Sequence, residues 1–141
     1  MRPNVDIGGG TTNLAWFDAG RLLDAGAIRV GGRHLIRQSD ADQPFRVASE
    51  TAGRFLSRAT ATQQDAARWI EACTQHTVSA IKGHFETIPD AFIVTNPQQD
   101  LPEARMLFFS GGVCDIMARL DRGESVPDAF RDTGLQLYIR V

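Results

Sequence analysis

The 141-residue chain has a formal charge of −2, so neither nucleic acid nor an anionic membrane surface gains a net electrostatic attraction from it. With 43% hydrophobic residues it can form one domain with a sizeable core, burying about two-thirds of the surface its unfolded form exposes. Cys73 and Cys114 lie far apart, His34, His76 and His84 follow no metal-ligand spacing, and no apolar run nears the roughly 20 residues of a membrane span. No disulfide framework, structural zinc site or transmembrane helix is therefore expected, and with no signal peptide visible the expected location is cytoplasmic.

A first strand is predicted over residues 5–7. It runs into Asp6-Ile7-Gly8-Gly9-Gly10-Thr11-Thr12-Asn13, three glycines framed by an acid and two hydroxyls. Without Cβ atoms the backbone there can turn its N–H groups around an anion, while the carboxylate faces a metal or water. Strands over 14–18 and 21–30 form a hairpin around Ala19-Gly20, closed by Gly31-Gly32. Residues 34–37 and 45–48 read as a further strand pair across Ser39-Asp40-Ala41-Asp42-Gln43-Pro44, part of a peripheral insertion around 34–60.

Over 62–85 the period becomes helical. Ala66, Ile70, Cys73, Thr77, Ile81 and Phe85 form one stripe widened by Trp69 and Val78, Thr62 and Asp65 resemble a capping box, and Pro89 prevents further propagation. This face reads as scaffold, and His76 as a flank histidine without a carboxylate partner. The apolar runs 91–94 and 106–109 have the density of strands in a sheet covered on both sides. The second leads into Ser110-Gly111-Gly112 and then Val113, Ile116, Met117 and Leu120 at helical spacing, a strand–turn–helix unit that leaves backbone N–H groups beside a cleft. Residues 135–141 alternate like a strand, and both ends of the chain read as cut from something longer.

Taken singly, the glycine turns also fit a tight connection and an ordinary strand-to-helix turn. Neither has the P-loop lysine or the dinucleotide G-x-G-x-x-G spacing. Their order, separated by a hairpin, a double glycine and a long helix, is more specific. Arg33 could approach a phosphate, although a surface ion pair is the stronger expectation, and Asp115 would stabilise a helix N-terminus.

Val5-Asp6-Ile7-Gly8-Gly9-Gly10-Thr11-Thr12-Asn13 resembles the second phosphate loop of the actin, sugar-kinase and heat-shock-chaperone ATPase superfamily, and Phe109-Ser110-Gly111-Gly112-Val113 its adenosine loop. Within it, these motifs with Phe17-Asp18-Ala19-Gly20-Arg21 and Val30-Gly31-Gly32-Arg33 are most similar to the reactivating factors of ethanolamine ammonia-lyase. The resemblance implies an α/β fold, a mixed sheet with flanking helices forming a partial actin-like (ribonuclease H-like) ATPase lobe over 1–141. It implies that Asp6 positions magnesium through water, that Gly8, Gly9 and Gly10 meet the β- and γ-phosphates with hydroxyl help from Thr11 and Thr12, and that Gly111 and Gly112 flank the adenosine. ATP and Mg2+ are then expected in the full-length protein, with ATPase activity there. None is required by this chain, in which no catalytic residue is assigned. The first phosphate loop and both connecting segments are not recognisable here.

The implied partner is ethanolamine ammonia-lyase, which would release damaged cobalamin through an ATP-linked change of conformation, with residues 39–44 a candidate contact. No nucleic acid or membrane is implied, and homo-oligomerisation and association with a bacterial microcompartment stay open. The alternatives are a diol dehydratase reactivating factor, a carbohydrate kinase fragment and a nucleotide-dependent filament or interaction module.

Overall fold

Alternation of apolar residues builds the first half of the sheet. The computed structural model describes residues 2–39, 42–101 and 106–125. Strand β1 (Arg2–Ile7) pairs antiparallel with β2 (Thr12–Asp18), which turns into β3 (Arg21–Ile28). Ala19 and Gly20 both have positive φ, 48° and 79°, as a two-residue hairpin turn matching strand twist requires. Val5, Ile7, Leu14, Trp16 and Ile28 alternate onto one buried face.

Two short strands complete this sheet in the order β7-β3-β2-β1-β8: β7 (Ile93–Thr95) lies antiparallel to β3, and β8 (Phe108–Ser110) parallel to β1. Among the described residues both stand at edges, which corrects the expectation of strands covered on both sides. Val94, Met106, Leu107 and Phe108 are 46%, 51%, 40% and 45% exposed. A smaller antiparallel sheet follows the order β4 (Leu35–Arg37), β5 (Phe45–Val47), β6 (Thr60–Ala61) and contributes Leu35, Phe45 and Ala61 to the core. His34, expected in a strand, instead closes a 3-10 turn over Gly32–His34.

Helix α1 (Glu50–Leu56) was not predicted. Ser49 caps it by accepting from the Ala52 N–H. Helix α2 (Gln63–Ile81) begins with the expected capping box between Thr62 and Asp65, and Asp65 also meets Arg58 and Arg68. It stops four residues short of the predicted end because Gly83 takes φ 81° and the chain leaves the helix there, well before Pro89. Its buried stripe, Ala66, Trp69, Ile70, Cys73, Thr77 and Ala80, covers the sheet. Trp69 stacks on Phe92 and meets Phe55 edge-on, at centroid distances of 5.6 and 5.5 Å. Helix α3 (Gly112–Asp121) follows β8 directly. Among the described residues no helix is long and apolar enough to cross a membrane. The strand-like segment 135–141 lies outside the described residues, as do residues 40 and 41 of the candidate lyase contact.

Candidate functional site

Because β1 and β8 are parallel neighbours with Asp6 opposite Ser110, both glycine turns leave the sheet at the same end. Strand register therefore joins two motifs about a hundred residues apart in sequence. Asn4 reinforces the junction by donating from Nδ2 to Ser110 Oγ at 3.0 Å. Gly111 has φ 89°, and a Cβ on it would lie 2.0 Å from Asp6 Oδ1 and 3.2 Å from the Ile7 carbonyl. Only glycine lets the second turn lie against the acid of the first.

The loop of residues 8–11 closes on itself through the Gly8 N–H and the Thr11 carbonyl at 2.9 Å. Its next contacts all run one way. The Gly8 carbonyl accepts from the Gly32 N–H at 3.1 Å, the Gly9 carbonyl from the Arg33 N–H at 2.7 Å, and the Gly10 carbonyl lies 2.9 Å from His34 Nε2. A planar trans peptide points its N–H opposite to its C=O, so the amides of Gly9, Gly10 and Thr11 are turned to the other side of the loop. Among the described residues these three amides donate to no backbone carbonyl. Successive amides on one side of a turn make an anion-binding concavity.

The double glycine serves this arrangement by close approach. A Cβ on Gly31 would lie 2.5 Å from the Gly9 carbonyl oxygen and 2.7 Å from the Gly10 nitrogen. Gly10 is exposed and a Cβ there would meet nothing within 4 Å; the same holds for Gly112. The open space lies over the loop, and the packed space behind it. The Arg33 stem lies over Gly9, where a Cβ would come within 2.9 Å of Arg33 Cδ.

Thr12 sits differently from the other residues expected at the site. It is fully buried and its hydroxyl donates to the Val30 carbonyl at 2.9 Å, bracing the loop against the end of the hairpin. Asp6, Gly8, Gly9, Gly10, Thr11, Gly111 and Gly112 are gathered at one end of the sheet. Among the described residues no group of three or more His, Cys, Asp or Glu side chains could hold a metal, so any metal at Asp6 would take most of its ligands from water or a bound anion.

His34 was missed as a site residue. It is 4% exposed, its Nδ1 meets Ser49 Oγ, and its ring lies 5.2 Å from that of Trp69. Burial holds its pKa below the ordinary histidine value, partly opposed by the Gly10 carbonyl. The one sequence signal was its place three residues after the start of the double glycine. His76 packs on Phe92 with ring centroids 4.4 Å apart, and burial lowers its pKa too. Asp115 is exposed in the first turn of α3, whose cap residue Gly111 offers no side-chain hydrogen bond.

Comparison with known proteins gives this geometry a context. Residues 2–140 match the family model described as ethanolamine utilisation protein EutA. The chain is 30% identical over 118 residues to the ethanolamine ammonia-lyase reactivase EutA of Escherichia coli strain K12, covering 78% of this chain and 25% of that protein. A 32-residue stretch is 56% identical to the reactivase of the same name from Salmonella typhimurium strain LT2, covering 23% of this chain and 7% of that one. The cell division protein FtsA of Bacillus subtilis strain 168 is 24% identical over 126 residues, 70% of this chain and 29% of FtsA. No solved structure matches significantly. The chain spans about a quarter of the length of the E. coli reactivase. With the five-stranded mixed sheet and its flanking helices, these likenesses identify a mixed α/β, actin-like fold.

Proposed function

The chain belongs to the family of the ethanolamine utilisation protein EutA, and on that footing we propose that it carries one phosphate loop and the adenosine turn of an ATP-dependent reactivating factor for ethanolamine ammonia-lyase. The observation that carries this reading is the set of three amides, Gly9, Gly10 and Thr11, facing away from their bonded carbonyls beside the Asp6 carboxylate.

The residues present fit a magnesium nucleotide. Phosphate oxygens are acceptors only, and the three amides are donors held in place before any ligand arrives. Magnesium keeps several waters and needs one or two protein carboxylates, which suits a single Asp6. Gly111 and Gly112 leave the backbone bare where an adenosine would pass, and the N-terminus of α3 adds donors of the same polarity. Thr12 acts as a brace, and Thr11 offers a hydroxyl at the loop's edge. When bound, the nucleotide supplies a γ-phosphoryl group whose loss changes what the loop holds. The amides would grip it, Asp6 would orient the metal's water, and the loop would report its presence to the elements packed behind it. In the complete protein that difference would loosen the lyase and release damaged cobalamin.

The test is recovery of ethanolamine ammonia-lyase inactivated by damaged cobalamin, with the complete protein, ATP, Mg2+ and intact cofactor. Recovery that requires ATP and disappears with Asp6→Asn is expected; recovery without ATP, or equal recovery by the Asp6 variant, overturns the reading. A cobalamin-dependent diol dehydratase assayed in parallel should recover poorly, and equal recovery would give that client the role.

A further inference from the structure

We propose that His34 is a positioning residue that fixes the Gly10–Thr11 peptide and, through Ser49, couples the glycine loop to helix α1. The inference rests on the reading of that loop as a phosphate site. Of the three carbonyls bonded behind the loop, those of Gly8 and Gly9 are held by backbone amides, and that of Gly10 is held by a side chain. This third link therefore differs from the others in depending on residue identity.

The hydrogen positions follow from the network. Ser49 Oγ accepts the Ala52 N–H at 3.1 Å as the cap of α1, so its single proton is available for His34 Nδ1. With Nδ1 accepting, Nε2 carries the ring proton and donates it to the Gly10 carbonyl. The bonds run in one direction, from Ala52 through Ser49 and the imidazole to Gly10. Trp69 lies against the ring and limits its displacement. A ligand that rotates the Gly10–Thr11 peptide to take the Thr11 amide must stretch or break the His34 bond. The ring can follow only by changing its contact with the α1 cap. Helix α1 faces α2 across the groove lined by Thr51, Phe55, Arg68 and His76, so loop state would be read out there.

Two conservative variants separate the ends of the network. Gln at position 34 can place a donor near the Nε2 position, whereas Asn reaches only the Nδ1 position. Hydrogen–deuterium exchange on the intact protein needs no nucleotide; the loop is followed at the bonded amides of Gly8, Gly32 and Arg33, and helix α1 over residues 52–56. We expect His34→Gln, which keeps a donor to the Gly10 carbonyl but loses the Ser49 bond, to accelerate loop exchange no more than Ser49→Ala does. His34→Asn should accelerate it about tenfold, the scale of one lost buried hydrogen bond. Ser49→Ala, which touches no loop atom, should accelerate the Gly8, Gly32 and Arg33 amides as well as residues 52–56. Equal loop exchange in the Gln and Asn variants overturns the positioning role, and unchanged loop exchange in Ser49→Ala overturns the coupling. Should His34→Asn fail to fold, comparing Gln with Ser49→Ala still decides: loop exchange clearly faster in Gln than in Ser49→Ala overturns the positioning role. Magnesium-ATP titration then separates this proposal from the one it rests on. A wild-type protein that binds no nucleotide defeats the phosphate-site reading, while the exchange results stand or fall independently.

Discussion

Gly10 and Gly31 lie on opposite sides of the loop and have opposite requirements, although a Cβ on Gly31 would come 2.7 Å from the Gly10 nitrogen. Gly31 faces the Gly9 carbonyl at a distance that no Cβ can share, and backbone has nowhere flexible to retreat. Gly31→Ala should destabilise the chain by about 2 kcal/mol or more, as overpacking of a tight site does. Gly10→Ala meets only open space, so urea denaturation should show no loss and even a gain of up to about 1 kcal/mol from the stiffer unfolded chain. The same variant should bind magnesium-ATP more weakly in the complete protein, because the methyl occupies the face the amides present. A second residue-scale expectation concerns pH. Burial depresses the folded-state pKa of both His34 and His76 below 6.5, so each contributes stability that is present above pH 6.5 and lost as pH falls through its folded value. Urea midpoints should fall between pH 7 and pH 5, and His34→Gln with His76→Gln should flatten that slope. An equally steep slope in the double variant would show that other groups cause it.

Helix α2 has the clearest sequence signature of any element, and its start can be tested directly. Thr62 accepts the Asp65 N–H at 3.2 Å, and Asp65 accepts the Thr62 N–H at 3.1 Å. Thr62→Ala should cost about 1 kcal/mol, measured by denaturant titration. Asp65→Ala should cost more, because Asp65 is also buried beside Arg58 and Arg68. A larger loss for Thr62→Ala would reverse the roles assigned here. This cap, the hairpin turn at Ala19-Gly20 and the strand–turn–helix at Ser110-Gly111-Gly112 were legible because each is written in neighbouring residues. Helix α1 was not, since seven residues give too few turns for periodicity to register. The end of α2 was readable at Gly83 but was taken from Pro89. Apolar density at 91–94 and 106–109 correctly gave strands near those positions but carried no information about whether both faces are covered. Thr12 was assigned from its hydroxyl, although the alternation Thr12, Leu14, Trp16 already placed it on the buried face. The His34 bond to Gly10 joins residues 24 positions apart, and it depends on how the hairpin end returns to the loop.

At the scale of the molecule, the two turns form one open wall. Gly10, Gly111 and Gly112 are exposed, and a Cβ on Gly10 or Gly112 would meet no described atom within 4 Å. A phosphate held there would keep much of its hydration and be screened by water, where a charge interaction at 4 Å is worth only about 1 kcal/mol. Enclosure from a second side would raise that figure by lowering the local dielectric constant and excluding competing water. The E. coli reactivase, four times the length of the aligned region, provides the comparison. On the proposed reading, titration calorimetry of the 141-residue chain should therefore show magnesium-ATP binding roughly a hundredfold weaker than whatever binding the E. coli protein shows, a difference of about 2.7 kcal/mol. Asp6→Ala should weaken the residual binding without unfolding the chain. Gly111→Val should abolish it and also lower the melting temperature, because its side chain would overlap the Asp6 carboxylate at a positive φ. If the short chain bound as tightly as the E. coli protein, one wall would suffice and the low-dielectric argument would fail. If it bound weakly and Asp6→Ala changed nothing, the residual affinity would belong to a site other than the joined glycine turns.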